Sequence, residues 1–230
     1  MKKTALITGA NKGIGFAAAQ ILAQQGFTVF IGARDAQRGE DAVQNLTGKG
    51  LEARFVALDV ADDASVASAL KTIENEFDAL DVLVNNAGIN IDGQRGLLEV
   101  TADEYRHTFE TNVLGVLRVS QAFWPLLQKS DSPRVINVSS GLGRLFDMTN
   151  ESPAYSVSKT AVNALTRQFA GLGQEKVSVN SICPGWVRTD MGGEGTTRTP
   201  EEGAAIIVKL ATMENPPTGK YLNDAGEIGW

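Results

Sequence analysis

The feature that most constrains this chain is a strand, a glycine-rich connection and a helix in immediate succession at its start. Thr4-Ala5-Leu6-Ile7-Thr8 is short and β-prone, and Ile14, Ala17, Ala18, Ile21 and Leu22 then follow at helical spacing. Between them, Gly9, Gly13 and Gly15 remove the side chain at three of seven positions. There the backbone can approach a ligand closely, and the first N–H groups of the helix offer a positive dipole end to a phosphate. The spacing departs from the G-x-G-x-x-G fingerprint of the general dinucleotide fold, yet three glycines in seven residues exceed what a simple tight turn needs. The alternation continues, with strand-like runs at 28–32, 53–58, 81–84, 134–138, 177–182 and 220–222 separated by helical patterns. Seven strands and about six helices in this order predict a Rossmann-type, doubly wound α/β fold. It is a mostly parallel sheet with helices on both faces, in a single domain over 1–230.

Composition narrows the function. At 230 residues, 43% of them apolar, the chain is long enough to close a substantial core. A net charge of -6 with scattered lysines and arginines gives no basic stripe, so neither nucleic acid nor an anionic membrane surface is an expected partner. One cysteine and one histidine cannot assemble a Cys/His zinc cluster, and no metal site is expected. The first residues lack a signal-peptide pattern, and no apolar run approaches the roughly 20 residues a bilayer span needs. A cytoplasmic protein is the expectation.

Several residues stand where chemistry is expected. The second strand ends Gly32-Ala33-Arg34-Asp35, so Arg34 favours a nucleotide 2′-phosphate while Asp35 would favour free ribose hydroxyls. Lys12, in the glycine loop, adds a second cation and tips the reading to Arg34 and NADPH, leaving Asp35 as a helix cap. Asn85-Asn86-Ala87-Gly88 closes a buried-type strand where open α/β sheets bind ligands, and Ser139-Ser140 closes another. Asn112 interrupts the apolar pattern of a long helix over 102–128, either as a structural hydrogen-bonding node or as part of a water network. Tyr155 and Lys159 are four apart, hence on one helix face, and a cation beside a phenol favours the phenolate, so the Tyr155 pKa is expected to fall toward neutrality. An exposed surface pair has the same spacing. The stretch 188–199, rich in Gly and Thr, reads as a mobile substrate loop. Trp186 is either a pocket wall or a core residue, Cys183 a buried small side chain, and His107 a helix residue without a catalytic role.

These motifs together resemble the short-chain dehydrogenase/reductase family, in its order and over nearly the whole chain. Gly9, Gly13, Ile14 and Gly15 match its nucleotide loop, Asp59 its adenine-binding acid, and Asn85-Asn86-Ala87-Gly88 its central-strand motif. Asn112, Ser140, Tyr155 and Lys159 match its catalytic residues, and Pro184-Gly185 with Val187 and Thr189 its nicotinamide-side loop. The versions Ala10-Asn11-Lys12, Gly32-Ala33-Arg34-Asp35 and Pro184-Gly185-Trp186-Val187 are similar to those of the family's carbonyl reductases. NAD-preferring relatives carry an acid where this chain has Ala33, which again implies NADPH. By the resemblance, Gly9, Asn11, Lys12, Gly13, Ile14, Gly15, Arg34, Asp59, Val60, Asn86, Tyr155, Lys159, Val187 and Thr189 would bind NADPH or NADP+. Ser140 and Tyr155 would polarise a small-molecule carbonyl, Lys159 would hold the nicotinamide ribose, and Asn112 a relay water. Animal carbonyl reductases that are monomers carry a long insertion between the serine and the tyrosine, here only fifteen positions apart. Without it a homo-oligomer, dimer or tetramer, is expected. Alcohol oxidation, reduction of a 3-oxoacyl group, and a non-catalytic NADPH sensor are the competing functions.

Overall fold

The computed structural model describes residues 2–93, 95–173, 176–193 and 195–230. The strands are β1 (Thr4–Thr8), β2 (Thr28–Ala33), β3 (Ala53–Ala57), β4 (Val82–Asn85), β5 (Arg134–Val138), β6 (Ser178–Ile182), β7 (Tyr221–Asn223) and β8 (Gly226–Glu227). The helices are α1 (Gly13–Gln24), α2 (Ala36–Thr47), α3 (Asp63–Glu74), α4 (Ala102–Phe109), α5 (Gly115–Leu127), α6 (Pro153–Gly173) and α7 (Pro200–Thr212). Among the described residues, eight strands form one sheet in the order β3-β2-β1-β4-β5-β6-β7-β8, parallel except for the final pair. This is the doubly wound architecture expected. The eighth strand is an addition: two residues folded back through a turn in which Asn223 Oδ1 accepts the N–H groups of Ala225 and Gly226, too short to leave a sequence pattern.

Successive strand residues feed opposite layers. Ala5, Ile7, Val29, Ile31, Val82 and Val84 pack with α1, α2 and α7, while Leu6, Phe30, Leu83, Val135 and Val179 pack with α3, α5 and α6. The chain winds outward from β1 in both directions, through β2 on one side and β4 on the other. The carboxyl ends of β1 and β4 therefore bound the crevice where such sheets bind ligands.

The helix expected over 102–128 is interrupted. Residues Glu110–Leu114 form a π-helical turn between α4 and α5, and Asn112 lies within it, fully buried. Such single turns concentrate at functional sites because the extra residue re-aims its neighbours. Among the described residues, no helix is long and apolar enough to cross a membrane.

Candidate active site

At the crevice, the glycines fit because side chains would not. Gly9 has φ +63, and a Cβ on it would stand 3.0 Å from the Cα of Ala87, so the loops after β1 and β4 touch backbone to backbone. A Cβ on Gly15 would lie 2.5 Å from Asn86 Nδ2. That amide donates to the carbonyls of Thr8 (2.8 Å) and Gly9 (3.1 Å), while Thr8 Oγ1 accepts the N–H groups of Asn86 (3.0 Å) and Ala87 (2.9 Å). Asn86 thus shapes the cradle, with its donors spent on the loop. Asn85 sits deeper, donating to Ser120 Oγ and Asn137 Oδ1 as an internal node. No side chain among the described residues caps α1, and its first turn contains no acid, so the N–H groups after Lys12 are available to an anion.

Beside the cradle lies an open groove of about 540 Å³ lined by Asn11, Lys12, Phe16, Arg38, Asn45 and Asp190, among others. Arg34 is exposed at the end of β2, outside that lining, and Arg38 one turn further on is the groove's second cation. Sequence reasoning did not single out Arg38, because only the fold brings the first turn of α2 to this groove. Asp35 caps α2 as expected, accepting the Arg38 N–H at 3.0 Å. Asp59 Oδ1 accepts the N–H of Ala61 at 3.0 Å, which fixes the turn after β3, and Val60 packs under Gly115, where a Cβ would come within 2.8 Å of its Cγ2.

The catalytic candidates converge on the other side of the cradle. Tyr155 and Lys159, on the first turns of α6, are both buried, so the exposed surface pair is excluded. Lys159 Nζ donates to the carbonyl of Val138 at 2.8 Å and lies 5.5 Å from the Tyr155 ring centroid. A Cβ on Gly88 would meet that ammonium and Asn112 Oδ1 at 3.3 Å each. Ser140, where β5 runs out, is anchored twice: its Oγ accepts the Leu142 N–H at 3.2 Å, and its carbonyl accepts the Tyr221 hydroxyl at 2.5 Å. Gly143 lets this turn lie directly on α6, since a Cβ there would be 2.8 Å from Lys159 Cβ.

The electrostatics correct one expectation. Burial pushes the Tyr155 phenol up to about 12, opposed by the neighbouring Ser140 hydroxyl and reinforced by the proximity of Cys183 and Asp92. The lysine-driven fall toward neutrality is not seen, because burial pulls Lys159 itself down to about 8 and its ammonium is directed at the Val138 carbonyl. Asn112 is held on both sides of its amide: Oδ1 accepts the Ile89 N–H at 2.8 Å, and Nδ2 donates to the Ile89 carbonyl (2.8 Å) and Ser158 Oγ (3.0 Å). One lone pair of Oδ1 is left over.

The segment after β6 folds back over the cradle. Thr189 Cγ2 would lie 3.3 Å from a Cβ on Gly13, and Asp190 pairs with Lys12 at 2.5 Å. Val187 bridges to Arg198, and Thr189 Oγ1 accepts the Gly192 N–H at 3.1 Å. Trp186 is 67% exposed with its indole N–H on the Gly192 carbonyl, which excludes the core alternative. Cys183 is half-buried rather than buried, and His107 is exposed.

The short chain dehydrogenase family model matches residues 3–199. A short-chain dehydrogenase of Penicillium roqueforti is 38% identical, over 100% of this chain and 98% of that protein. "Carbonyl reductase [NADPH] 1" of Mus musculus is 33% identical over 100% and 99%. Among solved structures, NADPH-bound carbonyl reductase from chicken fatty liver superposes with a TM-score of 0.91 at 30% identity, covering 100% of this chain and 99% of that one.

Proposed function

The chain belongs to the short-chain dehydrogenase family, and from that premise we propose that it reduces an aldehyde or ketone to the alcohol with NADPH, Tyr155 acting as general acid. The observation that carries this reading is the buried Tyr155 phenol beside Ser140, with the Lys159 ammonium close by at the carboxyl edge of the sheet.

The residues fit the cofactor. Gly9, Gly13 and Gly15 form a cradle that a Cβ would fill, and the uncapped start of α1 suits a pyrophosphate. Lys12, Arg34 and Arg38 supply cations for a 2′-phosphate, with Asn11 at the groove wall. Asp59, Val60 and Asn86 would bound the adenine side and Val187 and Thr189 the nicotinamide side. NADPH, when bound, supplies the hydride. The preference for NADPH is supported by the cation cluster and by the named cofactor of the carbonyl reductase relatives.

Ser140 Oγ already accepts the Leu142 N–H, which leaves its own O–H to donate to a substrate carbonyl. Tyr155 donates to the same oxygen and passes its proton as alkoxide character develops. A phenol near 12 is still far more acidic than an alcohol, so that transfer runs downhill. Lys159 then faces the tyrosinate and stabilises it, and stabilising charge as it forms is where such sites gain most rate. The free lone pair of Asn112 Oδ1, next to Lys159, is the position for a relay water. The loop 188–199 would cover the substrate, and a cytoplasmic homo-oligomer belongs to the same proposal.

The test is oxidation of NADPH, and separately of NADH, against a panel of aldehydes, ketones, quinones and 3-oxoacyl esters. Turnover of small carbonyls with strong NADPH preference is expected. Turnover confined to 3-oxoacyl esters, or to alcohols in the reverse direction, would replace the reading, and NADPH binding without turnover of any member would favour a sensor.

A further inference from the structure

The loop after β4 is fastened to the start of α6 by a buried carboxylate that the catalytic constellation does not use. Asp92 is 1% exposed, and its Oδ2 accepts the N–H of Ala154 at 2.7 Å and the N–H of Tyr155 at 3.3 Å. These are orphan donors of the helix's first turn, which otherwise need a cap. Ser152, just before the helix, has φ +44, a left-handed conformation that non-glycine residues adopt only when their surroundings impose it. Its hydroxyl donates to the Gly93 carbonyl and lies 3.4 Å from Asn90 Nδ2. At its other end the same loop is gripped by Asn112 through both backbone groups of Ile89.

Among the described residues, no side chain hydrogen-bonds the Asp92 carboxylate. Asp92 Oδ1 is buried and has no hydrogen-bond partner among the described residues. Arg95, the nearest cation, directs its hydrogen bonds to Glu104, to the Ile91 carbonyl and to the backbone carbonyl of Asp92, not to the carboxylate. The other titratable groups within electrostatic reach are the Tyr155 phenol from α6 and the Tyr105 phenol from α4, and Arg95 also interacts with Glu99 and Glu104.

We propose that Asp92 is a positioning residue for the reaction: its carboxylate ties the first turn of α6 to the loop after β4 and so sets where the Tyr155 hydroxyl stands against Ser140. The same charge, held against the backbone of Tyr155, disfavours the tyrosinate, which makes the ionisation of Tyr155 a reporter of the tie. The inference rests on the carbonyl-reduction reading for its kinetic part only.

Two variants separate the roles. Asp92→Asn keeps an acceptor oxygen and removes the charge, whereas Asp92→Ala removes both. The direct readout is the ionisation of Tyr155, followed by NMR of isotope-labelled tyrosine, with Tyr155→Phe identifying the signal. Asp92→Asn should let Tyr155 ionise at lower pH. It should also lower kcat about tenfold while NADPH affinity, read by fluorescence titration, stays within about twofold, and Asp92→Ala should cost about a further tenfold in kcat. An unchanged Tyr155 titration with unchanged kcat in Asp92→Asn would overturn the proposal. So would parallel losses of kcat and NADPH affinity, which would mark Asp92 as a general support of the fold. If the wild-type protein reduces no carbonyl, the reaction assignment fails, and the NMR titration still decides the role of Asp92.

Discussion

Lys12 and Lys159 flank the same crevice and are held in opposite ways. Lys12 is 57% exposed and paired with Asp190, in an ion pair that solvent screens and that contributes little to stability. Lys159 is 4% exposed, has no carboxylate in salt-bridge contact among the described residues, and is bonded to a neutral carbonyl. The comparison teaches that the two sides of the site place their cations in opposite electrostatic settings. An exposed cation can exchange one anion for another at low cost, which suits selection of a 2′-phosphate. A buried, half-desolvated cation is destabilising until a negative charge forms beside it, which suits a transition state in which Tyr155 loses its proton.

Removing Lys159 should therefore break the comparison most. Lys159→Met is expected to lower turnover by about a thousandfold while making the folded protein more stable at neutral pH. The sign follows from linkage. Lys159 has a folded pKa of about 8, below its ordinary 10.5, so the unfolded chain binds the proton more tightly. The penalty is fully present below pH 8 and vanishes as pH rises through 10.5. That shift corresponds to about 3 kcal/mol, offset by about 1–2 kcal/mol for a Val138 carbonyl left without its donor. Denaturant midpoints should show the variant more stable at pH 7, with the advantage shrinking toward pH 10; a less stable variant at pH 7 would contradict the buried-cation account.

On the exposed side the effects should be smaller and confined to binding. Arg34→Ala is expected to weaken NADPH about thirtyfold and NADH by less than about threefold; equal losses would remove Arg34 from the 2′-phosphate site. On the buried side lies Tyr221, whose hydroxyl holds the Ser140 carbonyl. Tyr221→Phe should reduce kcat about fivefold, in line with one lost hydrogen bond of about 1 kcal/mol, and leave cofactor affinity unchanged. The smallest effect belongs to Asp190→Asn, which frees Lys12 and should tighten NADPH by about twofold.

The regions also differ in how far the sequence disclosed them. The alternation of strands and helices, the three glycines and the Asp35 cap were legible because each has a local cause in backbone geometry, in hydrogen bonding or in a repeating apolar pattern. The pKa of Tyr155 was not, because helical spacing reveals the distance to Lys159 but not the burial of both groups. Arg38 escaped because its place at the groove depends on how the first turn of α2 faces the glycine loop. Asn112 was visible as an anomaly in an apolar pattern, whereas its π-helical turn and its grip on Ile89 depend on contacts 23 residues apart in sequence. The tie from Asp92 to α6 spans 62 residues and left no local pattern at all.

The most direct test of the central claim, that the buried pair performs chemistry while the exposed cations select the cofactor, is Tyr155→Phe measured twice on one preparation. NADPH binding within about twofold of wild type, together with carbonyl turnover reduced by at least about a thousandfold, is the predicted result. Turnover near the wild-type rate, or NADPH affinity lost in step with turnover, would contradict it.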